Sequence, residues 1–121
     1  MVITMGMIFY LSHLPGDFAQ LPLFIGLDKL LHGIVYGILA GTFLFGLNPF
    51  AHESNQAVTA IVVVLFCLLF GISDEFHQSF IQARFVSSWD VAADGLGALF
   101  VVLWWLIKVR KRTGNCGMTG N

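Results

Sequence analysis

The sequence predicts an all-α fold, a polytopic membrane helix bundle of about four transmembrane helices, the first of them short. Three observations carry this. Three apolar runs, Leu30 to Leu47, Ala57 to Ser73 and Val91 to Ile107, are 18, 17 and 17 residues long. With 57% hydrophobic and 11% charged side chains and a mean hydropathy of +0.82, the 121-residue chain departs from the soluble average toward membrane proteins. Its two hydrophilic clusters, Asp28-Lys29-Leu30-Leu31-His32 and Ser73-Asp74-Glu75-Phe76-His77-Gln78, each abut one of these runs.

As helices, runs of this length extend about 26 to 27 Å at ~1.5 Å per residue, close to the ~30 Å hydrocarbon thickness. The first apolar stretch, Met1 to Leu11, reaches only about 16 Å by the same rise and falls short alone. It has no basic residue ahead of it and no small-residue cleavage site, so it is read as a mature segment and not a signal peptide. Backbone amides in hydrocarbon must bond internally, which makes the runs helices despite β-branched Val62-Val63-Val64. Pro15-Gly16 and Pro22 separate helices one and two, Asn48-Pro49-Phe50 to Gln56 is expected as a short polar turn, and Ser79 to Trp89 joins helices three and four. Phe80, Phe85 and Trp89 suit an interfacial belt, and His13 and His52 are expected in loops.

Four of the six basic residues, Lys108, Arg110, Lys111 and Arg112, follow the last run. They are a topology signal and not a nucleic-acid patch: the positive-inside rule places the C-terminus in the cytoplasm and both polar clusters on the outer side. Cys67 lies inside an apolar run and Cys116 in the tail, so no disulfide is expected.

Charge in or near lipid is costly, so the acids are the functional candidates. Residues four apart share a helical face, which lines up Asp28, His32 and Tyr36, with Lys29 beside them. Asp74, His77 and Gln78 share a face if helix three continues past Ser73, and Glu75 can pair with Gln78. On helix four, Asp90 fits a capping box with Ser87, whereas Asp94 lies one turn deeper and needs a partner or a proton. His32 is open to packing, proton transfer or metal ligation; with no second histidine at HxxxH spacing packing is favoured, and no metal or cofactor is expected, the alternative being a metal held by Asp28, His32, Asp74 and a helix-four acid. Gly33, Gly37 and Gly41 form a small-residue ridge for close helix approach, a role shared by Gly95 and Gly97. Arg84 has a planar fork suited to a carboxylate, Asp74, Glu75 or Asp90, or to an anionic head group met together with Lys29.

Together, DKLLHGIVYGIL (Asp28 to Leu39), DEFHQSFIQAR (Asp74 to Arg84) and DVAADGLG (Asp90 to Gly97) resemble the signature blocks of the VanZ-like membrane proteins. The resemblance covers most of the chain, including Ser12-His13-Leu14-Pro15. It implies a single domain over residues 1–112, a flexible cytoplasmic tail over 113–121, and a multi-pass protein of the bacterial inner membrane. The best-known relative confers low-level resistance to the glycopeptide teicoplanin. The marked family residues fall on Asp28, Lys29, His32, Tyr36, Asp74, Glu75, Gln78, Phe80, Arg84, Asp90 and Gly97. Two departures are Gln82-Ala83 where the family often has Pro-Gly, and Asp94 where it usually has Asn.

Three functions follow, in descending order. The first is an accessory envelope protein whose outer-face pocket holds a lipid head group, with membrane lipids or a lipid-linked envelope precursor as partners and homo-oligomerisation left open. The second is a membrane-embedded enzyme on such a lipid, with a carboxylate and His32 as acid and base. The third is proton or ion movement along the acids. No nucleophile motif or phosphate-cradling glycine loop favours the enzyme, and four short helices enclose little lumen for transport.

Overall fold

The computed structural model describes residues 1–13, 27–51, 55–81 and 87–116, with side chains over 1–13, 29–47, 55–81 and 87–111. Among the described residues there are four helices and no strand: α1 Val2–His13, α2 Leu27–Ala51, α3 Gln56–Gln78 and α4 Ser88–Cys116. Lys29–Leu47, Gln56–Gln78 and Ser88–Lys111 are each long and apolar enough to cross a membrane, and α1 is a shorter apolar helix. Within an 18-residue apolar window of each span, only 28%, 28% and 22% is buried inside the bundle. The rest carries Ile38, Phe45, Leu65, Leu69 and Phe100 outward. So large an apolar surface is unsuited to water and matched to lipid.

The helix ends explain themselves locally. Asn55 caps α3, its Oδ1 accepting the Ala57 amide at 2.9 Å, and the last turn tightens as the Phe80 amide donates to the His77 carbonyl. Ser87 caps α4 by accepting the Trp89 amide at 3.3 Å. Asp90 does not complete the expected capping box: the Ser87 amide is taken instead by Glu75 Oε2 of α3 at 3.0 Å. A tertiary contact replaces the local one.

Two boundaries differ from expectation. The helix does not stop at Asn48-Pro49-Phe50 but runs on to Ala51. A proline removes only its own amide donor and crowds the preceding turn, so one placed in a final turn need not terminate it there. His13 is not in a loop but is the last residue of α1. His52 and the links Leu14 to Gly26 and Gln82 to Val86 lie outside the described residues, as do Arg84 and Phe85 within the second link. The α4 backbone stays helical through residues 113–116, the start of the segment expected as a tail.

The core joins Tyr36, Leu39, Ala40 and Leu44 of α2 to Val63 and Cys67 of α3 and Ala98 and Val102 of α4, with Ile8 from α1. Phe43 and Phe66 meet edge to face at 4.7 Å between centroids, and Phe66 stacks on Phe70 at 6.3 Å. The glycine ridge makes the closest approach. A Cβ on Gly97 would collide with the Gly33 carbonyl oxygen, and one on Gly37 would stand 3.4 Å from the Gly97 oxygen. α2 and α4 therefore pack backbone to backbone, both starting at the same end of the bundle.

Candidate polar site at one end of the bundle

The ends of α1 and α3 and the beginnings of α2 and α4 meet, because successive helices reverse direction. Here the bundle buries what the rest of it excludes. Asp74, Glu75, Gln78, Asp90 and Asp94 are all buried, Asp94 completely, and Ser12 joins them from α1. Among the described side chains this end sets four carboxylates against Lys29 and the imidazoles of His13, His32 and His77.

Between α2 and α4 the groups form two rungs. At the rim, Lys29 Nζ lies 3.1 Å from Asp90 Oδ1, with the lysine side chain 44% exposed and the aspartate 6%. This is an ion pair without a directed hydrogen bond, since no such bond reaches Asp90 Oδ1 among the described residues. One turn deeper, His32 Nδ1 lies 3.0 Å from Asp94 Oδ1. Asp94 thus has the partner its depth demands. Its other oxygen, Oδ2, has none among the described residues, and sits where a Cβ on Gly71 would be 2.8 Å away. Gly71 is the notch that admits this carboxylate. Below the rungs, the buried Tyr36 ring lies nearly parallel to His32 at 6.5 Å, and its Oη has no partner among the described residues.

A second network ties α1 to α3. Ser12 Oγ donates to Asp74 Oδ2 at 2.7 Å, and Gln78 Nε2 donates to the same oxygen at 2.9 Å and to Ser12 Oγ at 3.1 Å. The Asp74–Gln78 link is the four-residue helical spacing. Glu75, one position on, points instead toward α4, where Oε2 holds the Ser87 amide and Oε1 is buried without a partner among the described residues. His77 meets α1 instead: it stacks on Phe9 at 4.6 Å and lies 3.4 Å from His13.

Of the residues singled out in the sequence, the structure brings together Lys29, His32, Tyr36, Asp74, Glu75, Gln78, Asp90 and Asp94. The Asp28 backbone lies in the first turn of α2, but its side chain, like all of Arg84, is outside the described residues. Ser12 and Gly71 belong to the site and were not singled out for it. Ser12 had a signal, a hydroxyl closing an otherwise apolar helix; the notch at Gly71 shows only once Asp94 is seen against it.

Chemically, the end offers a histidine oriented by a buried carboxylate, and acceptor oxygens with no partner among the described residues. One ring nitrogen of His32 and one carboxylate oxygen each of Glu75 and Asp90 lie within 4.8 Å of one another. Trp89 and Phe80 stand exposed at this end, as residues at a membrane interface do. Comparison of the chain with protein-family models, with curated proteins and with solved structures gives no match.

Proposed function

We propose that the chain is a VanZ-like accessory protein of the bacterial cell envelope, of the teicoplanin-resistance type, which holds the polar head group of a membrane lipid in the pocket at the outer end of the bundle. The observation that carries the reading is the set of buried acceptors without partners among the described residues, Glu75 Oε1, Asp94 Oδ2 and Tyr36 Oη, under an interfacial rim. Unsatisfied buried oxygens cost about 1 to 3 kcal/mol each, more when charged, and a head group rich in hydroxyl or amide donors would satisfy them. A lipid-linked envelope precursor offers such donors at the required depth. Lys29, half-exposed at the rim, supplies a cation for its phosphate.

Lipids retained by the full chain after mild detergent purification, identified by mass spectrometry, test this. A specific species should accompany the wild type, and Glu75→Gln should reduce its retention about tenfold, the loss of one charged hydrogen bond. In parallel, expression should raise teicoplanin tolerance of a susceptible host, and Glu75→Gln should not. Identical lipid profiles for wild type and Glu75→Gln would sink the head-group reading.

A second reading, a membrane-embedded enzyme on the same class of lipid, is favoured by the His32–Asp94 pair. A buried carboxylate that orients an imidazole is the arrangement of a general base. Turnover of the retained lipid by wild type and not by His32→Gln would select it.

A further inference from the structure

We infer that His32, Glu75 and Asp90 form a binding site for one divalent transition-metal cation of the zinc class. The inference goes beyond head-group binding and does not rest on it.

The three donors come from three helices, α2, α3 and α4, and their ligand atoms lie within 4.8 Å of one another. Three atoms so placed have a point within about 2.8 Å of all of them (4.8 Å divided by √3), whereas zinc sits about 2.0 to 2.2 Å from nitrogen and carboxylate oxygen. An inward movement of about 0.6 to 0.8 Å per donor closes the gap, within the reach of side-chain torsions alone.

Proximity of acids is not in itself a site, and two further features point to a cation. Glu75 is 4% exposed, and while one of its oxygens takes the Ser87 amide, the other is buried with no partner among the described residues. A protein that desolvates a carboxylate oxygen ordinarily pairs it. The second is the oriented imidazole. A proton on His32 Nδ1, donated to Asp94 Oδ1 at 3.0 Å, places the ring's lone pair on Nε2. A carboxylate behind a histidine in this way recurs behind metal-ligating histidines, where it fixes the tautomer and raises ligand basicity.

The donor set selects the class of metal. Calcium takes six to eight oxygens and magnesium an octahedron largely of oxygens and waters, while one imidazole with two carboxylates suits zinc, manganese or iron(II). Three protein ligands leave a coordination position for water or a ligand oxygen, as in catalytic and not structural zinc sites. Lys29 is the competing cation at Asp90, and its half-exposed side chain can withdraw to water when a metal arrives.

Zinc alone, added to the full chain purified in detergent and stripped with a chelator, is the probe. Metal content by mass spectrometry and competition with a chromophoric chelator should give about one equivalent for the wild type, and His32→Gln, Glu75→Gln and Asp90→Asn should each bind at least about tenfold more weakly. Asp94→Asn, acting through His32, should keep the stoichiometry, weaken binding about 10- to 100-fold, and shift the visible bands of the cobalt-substituted protein, which a merely structural role would not do. His77→Ala should bind like the wild type. Wild-type binding below about a tenth of an equivalent overturns the site. So does binding that survives His32→Gln and disappears in His77→Ala, which would place the metal at the His13–His77 pair. Should an acid variant fail to fold, the wild-type stoichiometry and the His32→Gln and His77→Ala results decide. Lipid retention is a separate readout, so a negative zinc result leaves the head-group reading standing and a positive one does not establish it.

Discussion

At the scale of the residue, Asp94 shows how one carboxylate constrains its surroundings on three helices. It is wholly buried, its Oδ1 meets His32 on α2, and its Oδ2 fills the notch left by Gly71 on α3. A methyl at Gly71 would stand 2.8 Å from Oδ2 but 3.5 Å from the Asp94 Cβ, so the conflict is with the carboxylate and not with the helix that bears it. Gly71→Ala should therefore destabilise the protein by displacing Asp94 from His32, and the same substitution in an Asp94→Ala background should cost little. A double-mutant cycle should show a coupling of about 1 to 3 kcal/mol, measured by reversible unfolding in detergent. Additive effects would mean that Gly71 is not shaped to Asp94. The need of Asp94 for a partner was legible in the sequence from its depth in an apolar run. Which partner it has was not, because His32 is 62 residues away and hydropathy says nothing about the direction a side chain takes around its helix.

Elements were more legible than the contacts between them. The three long spans follow from run length and solvent, and the ridge Gly33-Gly37-Gly41 from its four-residue spacing. What escaped was tertiary: the Ser87 amide, free by local rules to bond Asp90, goes to Glu75, and Ser12 crosses 62 residues to Asp74. The helix through Pro49 escaped for a different reason, since proline weights the sequence toward a break that the last turn of a helix can tolerate. The glycines now separate by contact. Gly97→Ala forces a methyl into the Gly33 backbone and must push α2 and α4 apart, a cost of at least about 1 to 3 kcal/mol. Gly46 has nothing within 4 Å of an added Cβ, so Gly46→Ala should be neutral or stabilise by up to about 1 kcal/mol through reduced backbone freedom. The comparison is internal to one chain and read by the same unfolding assay. Equal stability for the two variants would remove the close α2–α4 crossing, and with it the spacing that sets His32 against Asp94.

For the whole molecule, α4 carries the two markers that orient it. Asp90 lies in the buried polar end, and Lys108 sits 18 residues later with its ammonium 3.9 Å over the Trp104 ring, an aromatic and a cation placed together as at a membrane surface. Eighteen residues of helix cover about 27 Å, close to one hydrocarbon thickness, so the acidic and basic ends fall at opposite interfaces. Lys108, Arg110 and Lys111 are exposed, and we propose on the positive-inside rule that they lie in the cytoplasm, with the polar end outside. Two cysteine positions test this. Native Cys116, beyond the basic cluster, should react with a membrane-impermeant maleimide only after cells are permeabilised, while Cys67 is fully buried. In a Cys116→Ser background, Ser88→Cys, exposed at the start of α4, should label in intact cells. Labelling of Cys116 in intact cells together with protection of Ser88→Cys would invert the protein. The pocket would then open to the cytoplasm, where it would meet lipid precursors before their export and could not act on an antibiotic arriving from outside. The geometry of the polar cluster would stand, but its proposed role at the envelope surface would not.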